Sequence, residues 1–378
     1  MTFKLTTVSL IASACLFFAA CSDSNSSTSS STSSSIKAET KPQQTPEQQI
    51  TQQSQAHVAT GPWPEGDQRG MANALGAGTW QRCGYYLGQP GAKSYELSHL
   101  RSNSMSKSPF GVPLQYSYRP TAGLPGSRHA FNGEQIVTGE PGAQGTQMDA
   151  LGHFAVLDTS WSGEGEFPAD QAEYYSGYRQ ADVKPTAASP LLKLGIEHAP
   201  PIISSAVLLD AKSFLGKGEP LAAGRAISKE DIEAMIAHQG LNWRGLLPGD
   251  VLYIYTGWGD SWNAPDYYTK GPGLSFDAAK YIADKKIVLV ALDNPFTDPV
   301  NEGQLVGKAG PAKGSPEGLP FAVHHQNLTQ SGIHQIQNVK LGELAQDKVW
   351  TSCTMILPLR SEGASGSPVR PVAIGVPG

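Results

Sequence analysis

The feature that most constrains this chain is a switching period of apolar residues between Pro200 and Asn294. Ile202 to Asp210 (IISSAVLLD) is a β-rich run with the pattern of a buried strand. From Ser228 to His238, Ile232, Met235 and Ile236 instead share one helical face, with Ser228 and Asp231 forming a capping-box start and Gly240 a stop. Asp250 to Gly257 (DVLYIYTG) predicts a second strand, Ser275 to Asp284 (SFDAAKYIAD) a second helix and Ile287 to Asp293 (IVLVALD) a third strand. A β-α-β-α-β order implies a parallel or mixed sheet with right-handed crossovers. The flanks differ: Tyr95 to Leu100, Val349 to Leu359 and Pro368 to Gly375 read as short strands between Gly, Pro and Ser turns. The expected fold is therefore α/β, a mixed sheet with a β-α-β core and added antiparallel strands.

Outside that core, Lys4 followed by an apolar run from Leu5 to Ala20 reads as a signal peptide, too short to span a bilayer as a mature helix. Phe18-Ala19-Ala20-Cys21 resembles the lipobox of bacterial lipoproteins, in which the cysteine is lipidated and becomes the new N-terminus. The alternative is ordinary signal-peptidase cleavage with Cys21 incidental, and both routes export the chain. From Ser22 to about Ala56 the sequence is mostly Ser, Thr, Gln and Asn, which bury too little apolar area to offset ordering entropy. The expected organisation is a signal peptide over 1–20, a lipidated disordered tether over 21–60 and one folded domain over 61–378. Its expected location is the periplasmic face of the bacterial outer membrane, held through the lipid alone. Cys83 and Cys353 then lie where a disulfide survives, and the sequence leaves open whether they pair. A net charge of -5 without Lys/Arg runs argues against nucleic acid as a partner.

The chemistry concentrates in Gly142-Ala143-Gln144-Gly145-Thr146-Gln147-Met148-Asp149-Ala150-Leu151-Gly152-His153. In an extended segment Gln147 and Asp149 share one side, with His153 just beyond. This stretch resembles the His-x-Gly-Thr-His-x-Asp-x-x-x-His motif of the cyclase family, which includes bacterial kynurenine formamidase and isatin hydrolase. Tyr95 to His99, Ala206 to Asp210, Gly249 to Trp258, Pro272 to Ser275, His325-x-x-Leu328, Gly332-Ile333, Gln337-Asn338 and Gly366 to Arg370 continue the likeness in order.

The resemblance implies a swivelling β/β/α fold, a homo-oligomer and a metal-dependent hydrolase acting on an amide, lactam or lactone of a small cyclic or aromatic compound. It assigns His153 as general acid/base and Asp149 and His325 as metal ligands. His324 stands beside His325 as the alternative, and spacing to Gln337 favours His325. Departures matter as well: Ala143 and Gln147 stand where the family has histidines, and Gln337 where it has a glutamate. A methyl group removes a ligand, while amide oxygens bind Zn²⁺ weakly and suit harder ions. The expected cofactor is one divalent ion, Mn²⁺ or Zn²⁺, on Asp149, His325, Gln337 and Gln147. Two other readings stay open: a lipid-anchored binding protein with a degenerate, non-catalytic pocket, and a metal-free cyclase or dehydratase using His153. His99 and His334 are weaker candidates, and Trp161, Phe167, Tyr174, Tyr175 and Trp258 are candidates for an apolar substrate wall.

Overall fold

The computed structural model describes residues 44–378. The signal peptide, Cys21 and most of the expected tether lie outside the described residues. Among those described, no helix is long and apolar enough to cross a membrane.

Nine strands form one sheet: β1 (Lys93–Glu96), β2 (Gln147–Asp149), β3 (Ile202–Asp210), β4 (Val251–Tyr255), β5 (Leu289–Leu292), β6 (His334–Gln337), β7 (Thr351–Ile356), β8 (Gly366–Pro368) and β9 (Val372–Gly375). Their spatial order is β1-β9-β7-β3-β4-β5-β6-β2-β8. The central run β3-β4-β5-β6 is parallel, and every strand outside it joins antiparallel. This is the mixed sheet with antiparallel additions that the alternating periods predict. The crossover helices α3 (Lys229–His238) and α4 (Phe276–Asp284) start on Ser228 and Ser275, whose hydroxyls accept the N–H groups of Asp231 and Ala278. Ile232, Met235, Ile236, Ala278, Ala279 and Ile282 are buried with Val207, Leu252, Ile254, Val290 and Leu292 in one apolar core.

The expected tether ends too late in the sequence. Residues Pro46–Gln55 form a helix, α1, with Thr45 and Gln48 completing a capping box. It packs on α2 (Ala77–Leu87) through small and polar groups, which explains why an apolar period does not betray it. Glu47 accepts the Tyr86 hydroxyl at 2.8 Å, and a side chain at Gly78 would strike the Ser54 carbonyl at 2.4 Å. In turn α2 is pinned to the sheet: Arg82 donates to Ser205 on β3, and Cys83 is bonded to Cys353 on β7. Asp250 is fully buried and takes Ser205, Leu247 and Arg244 as donors, with the Arg82 guanidinium 3.5 Å away.

Candidate active site

The site grows from the pairing of β2 with β6. Their register sets Gln335 opposite Asp149 and Gln337 opposite Gln147, so these four alternate residues share one face. Met148 and Ile336, on the other face, are buried in the core. Asp149 is 1% exposed, and its Oδ2 accepts the Gln337 amide at 2.7 Å and the Gln335 amide at 3.0 Å. Gln335 has its orientation fixed from behind, because its oxygen accepts from Thr297 and Asn327 and so turns the NH₂ toward Asp149.

A second chain of contacts reaches Asp149 from the helical segment after Phe321. His324 Nε2 lies 3.7 Å from Asp149 Oδ2, and its Nδ1 donates to Asp298 at 2.5 Å. Asp298 also accepts the backbone N–H groups of Val323 and His324. Burial alone would push the His324 pKa down, but the bond to Asp298 and the charges of Asp298 and Asp149 outweigh it and hold the pKa raised. His324 continues into a π-helical turn, His325–Ser331, closed by Gly332 at φ +64°. A Cβ at Gly332 would meet the Gly70 backbone at 2.7 Å, so glycine there lets two chain segments cross under the site.

Asp149, His324 and Gln337 line a cavity of about 300 Å³ with Gln147, His153, Tyr268 and the aromatic side chains Phe110, Phe154, Phe296 and Phe321. His153, exposed at the end of the 3₁₀ turn Leu151–His153, sits 6.4 Å from His324 between ring centroids. Ala143 lines the same wall where the resemblance expects a histidine.

The structure thus brings Gln147, Asp149, His153 and Gln337 together, and it corrects His325. His324 is the inward residue. Successive helical positions point about 100° apart, and His325 turns away into protein, where burial lowers its pKa and its Nδ1 has no partner among the described residues. His334 is buried beneath the site, its Nδ1 donating to the Asp149 carbonyl at 3.2 Å. His99 stacks on Trp262 at the edge of a separate cavity. None of Trp161, Phe167, Tyr174, Tyr175 and Trp258 lines this one; the phenylalanines named above do. Sequence reasoning also passed over Asp298 and Gln335. Asp298 had a signal in Asp293-Asn-Pro-Phe-Thr-Asp298, acids directly following a core strand.

Donor chemistry decides whether a divalent ion suits the site. Asp149 Oδ1, Gln147 Oε1 and Gln337 Oε1 are buried and accept nothing from the described residues. His324, oriented by a carboxylate on its far nitrogen, has the arrangement common to metal-bound imidazoles. One carboxylate, one imidazole and two amide oxygens fit a single ion of hard or borderline character. Among the described residues no group of three His, Cys, Asp or Glu is placed to hold a metal.

Comparison with known proteins agrees with this architecture. The Cyclase family model matches residues 90–299. Kynurenine formamidase from Bacillus cereus is 34% identical over 101 residues, which are 27% of this chain and 39% of that protein. The Bacillus anthracis kynurenine formamidase is 33% identical over the same length. The chain thus spans about two fifths of the length of the curated relatives it matches. A crystal structure of a novel cyclase superposes with a TM-score of 0.66 at 26% identity, covering 84% of this chain and 97% of that one. Isatin hydrolase A from Labrenzia aggregata, bound to benzyl benzoate, shares the fold with a TM-score of 0.51 at 13% identity, covering 76% and 94%. With more than half of its length matched by the family model and the sheet and cavity described above, this chain belongs to the cyclase family.

Proposed function

We propose that the chain is a metal-dependent hydrolase that opens an amide, lactam or lactone bond in a small aromatic compound. The observation that carries this reading is the Asp298–His324–Asp149 line at the floor of a phenylalanine-walled cavity, with His153 opposite. A cavity of about 300 Å³ suits one aromatic ring with a short substituent. The relatives named kynurenine formamidase support that substrate class.

The residues divide the work by position. The phenylalanines bind and orient the ring and exclude water from its faces. Tyr268, whose buried hydroxyl has no acceptor among the described residues and is held protonated by burial, lines the cavity as a donor for the carbonyl oxygen. His153, at the mouth, takes a proton from the attacking water and returns it to the leaving group. Asp298 fixes the ring of His324, and the Gln335 and Gln337 amides fix Asp149. A divalent ion, held by Asp149, His324 and the amide oxygens of Gln147 and Gln337, would supply carbonyl polarisation and a more acidic water. The Gly145-Thr146-Gln147-x-Asp149 pattern then marks a subgroup in which amides stand in for charged or imidazole ligands.

The test is turnover of formanilide, isatin and dihydrocoumarin, with elemental analysis of the purified protein. Wild type turns over at least one of them, and Asp149→Ala and His153→Ala each lose at least a hundredfold; full activity in both variants defeats the assignment. A second reading, a ligand-binding protein without turnover, is favoured by Ala143 and by the two amides at expected ligand positions. It predicts saturable binding of these compounds with no product.

We also propose that the protein is exported, lipidated on Cys21 and held at the periplasmic face of the outer membrane. The Cys83–Cys353 bond supports this, since such bonds persist mainly in oxidising compartments. Loss of palmitate labelling in Cys21→Ala is the check. A homo-oligomer is supported by the ribbon of Gln115–Tyr118 and Glu134–Thr138, where Tyr118, Ile136 and Val137 are exposed and no position of the second strand is buried. An isolated two-stranded ribbon is marginal in water, so a second copy is its proposed cover, and light scattering reads the mass.

A further inference from the structure

A second cavity, of about 890 Å³, opens on the other side of the segment that enters β2. Thr146 lines it while Gln147 lines the catalytic cavity, as successive extended residues must. Thr146 also ties the walls together, accepting the His99 N–H at 3.0 Å and donating to the Asn338 carbonyl at 2.6 Å.

The cavity combines a flat aromatic wall with cations and exposed leucines around its opening. His99 and Trp262 stack with centroids 4.5 Å apart and planes within 15°. Burial, helped by the charge of Lys340, pushes the His99 pKa down to about 4, so the imidazole is neutral at pH 7 and extends the indole as an uncharged surface. Three cations line the space, Arg101, Lys340 and Arg370, against one carboxylate, Glu96. Glu96 is engaged by Arg370 at 2.6 Å, which leaves Arg101 and Lys340 outside every ion pair of the described residues. Arg101 Nε is buried with no acceptor, and His99 Nε2 is likewise unpartnered. Gly145, at φ +82°, packs its bare α-carbon against the Arg101 stem; a Cβ there would lie 3.5 Å from Arg101 Cγ and also need a left-handed backbone. Leu357 and Leu359, 54% and 58% exposed, complete the rim.

Two uncompensated cations beside a neutral aromatic stack define the ligand chemistry. A guanidinium recognises a carboxylate through paired hydrogen bonds, and a planar ring gains contact on the indole and the leucines. Inorganic phosphate would satisfy the cations and waste the aromatic wall; a neutral arene would do the reverse. We propose that this groove is a second small-molecule site, separate from the catalytic cavity, that binds aromatic carboxylates with the acid group on Arg101 and Lys340 and the ring against Trp262. The assignment does not depend on the catalytic reading, because the two cavities share only a backbone segment.

The experiment is a titration of 2-naphthoate into the purified protein, followed by tryptophan fluorescence and by calorimetry, with 2-naphthol and inorganic phosphate as probes of ring alone and charge alone. Wild type binds naphthoate at least tenfold more tightly than either comparison compound. Arg101→Gln combined with Lys340→Gln weakens naphthoate at least tenfold, Trp262→Leu weakens it while leaving phosphate unchanged, and Asp149→Asn leaves it unaltered. Thermal melts establish that each variant is folded, and Lys340→Gln alone, at an exposed rim, serves if the double variant is not. Naphthoate binding that survives loss of both cations, is abolished by Asp149→Asn, or is absent from wild type overturns the proposal.

Discussion

Replacing Asp298 by Asn tests whether His324 works through its orientation. Asp298 is 1% exposed and accepts three donors: Val323 N–H at 2.6 Å, His324 N–H at 3.1 Å and His324 Nδ1–H at 2.5 Å. An asparagine has one acceptor oxygen. With that oxygen toward His324, its NH₂ confronts the Val323 N–H; turned round, it confronts both His324 donors. At least one buried N–H therefore loses its acceptor, at about 1–3 kcal/mol, and the charge-assisted bond to the imidazole becomes neutral, at about 1 kcal/mol more. The expected loss of stability is about 2–4 kcal/mol. The imidazole is then free to turn and, without the Asp298 charge to oppose burial, holds its proton less tightly. Losing the outer carboxylate that orients a ligand imidazole of this kind lowers activity by roughly 10–100-fold. Steady-state kinetics on the best substrate of the panel, beside urea unfolding at the same temperature, separates the two effects. A variant that is destabilised as expected but keeps kcat within threefold of wild type would show that the Asp298–His324 contact is architecture alone.

Three further outcomes follow from the same structure. Cys83→Ser with Cys353→Ser opens a closure spanning 270 residues and costs about 2–5 kcal/mol in urea unfolding, with the wild type falling to the same value under dithiothreitol; an unchanged midpoint would mean the bond does not form. His99 has its folded pKa depressed from 6.5 to about 4, so between those values the unfolded chain binds a proton that the native chain does not. Stability from this residue is complete above pH 6.5 and lost as pH falls toward 4, by up to about 3 kcal/mol. Urea midpoints at pH 7 and 4.5 measure that slope, and His99→Phe, which keeps the ring on Trp262, flattens it. Gln337→Glu puts a second carboxylate where an amide now donates to Asp149 at 2.7 Å, and costs about 2–3 kcal/mol in chelated buffer. Added Mn²⁺ then raises the melting temperature of the variant more than that of wild type; equal shifts would remove Gln337 from the ligand set.

Much of the sheet was legible because burial on both faces leaves a continuous apolar run. IISSAVLLD is β3 from its first residue to its last, and Ser228 and Ser275 cap the helices they announce. Helix α1 was not legible by period: PEQQITQQSQ buries Thr51 and Ser54 against α2, and only the Thr45–Gln48 capping box signals it. Within the site, Gln147, Asp149 and Gln337 follow from strand alternation once a motif picks the strand. Choosing between His324 and His325 needs the helical phase, and the π-helical turn that starts at His325 breaks the regular period from which phase is read. Gln335 was hidden for another reason. It meets Asp149 through the β2–β6 register, a contact between residues 186 apart in the chain.

The amide at 337, one of the departures from the family motif, acquires a physical sense in this geometry. A buried carboxylate flanked by a glutamate at 337 would demand a cation at all times, whereas an amide there can do two jobs. Its NH₂ neutralises part of the Asp149 charge by donating to Oδ2, while its oxygen remains directed at the cavity. Gln335, locked by Thr297 and Asn327, adds a second donor to the same oxygen. Asp149 is thereby stable in the fold without a metal, with Oδ1 still free to bind one. An ion at the proposed site would be held more weakly by these neutral oxygens than by carboxylate and imidazole.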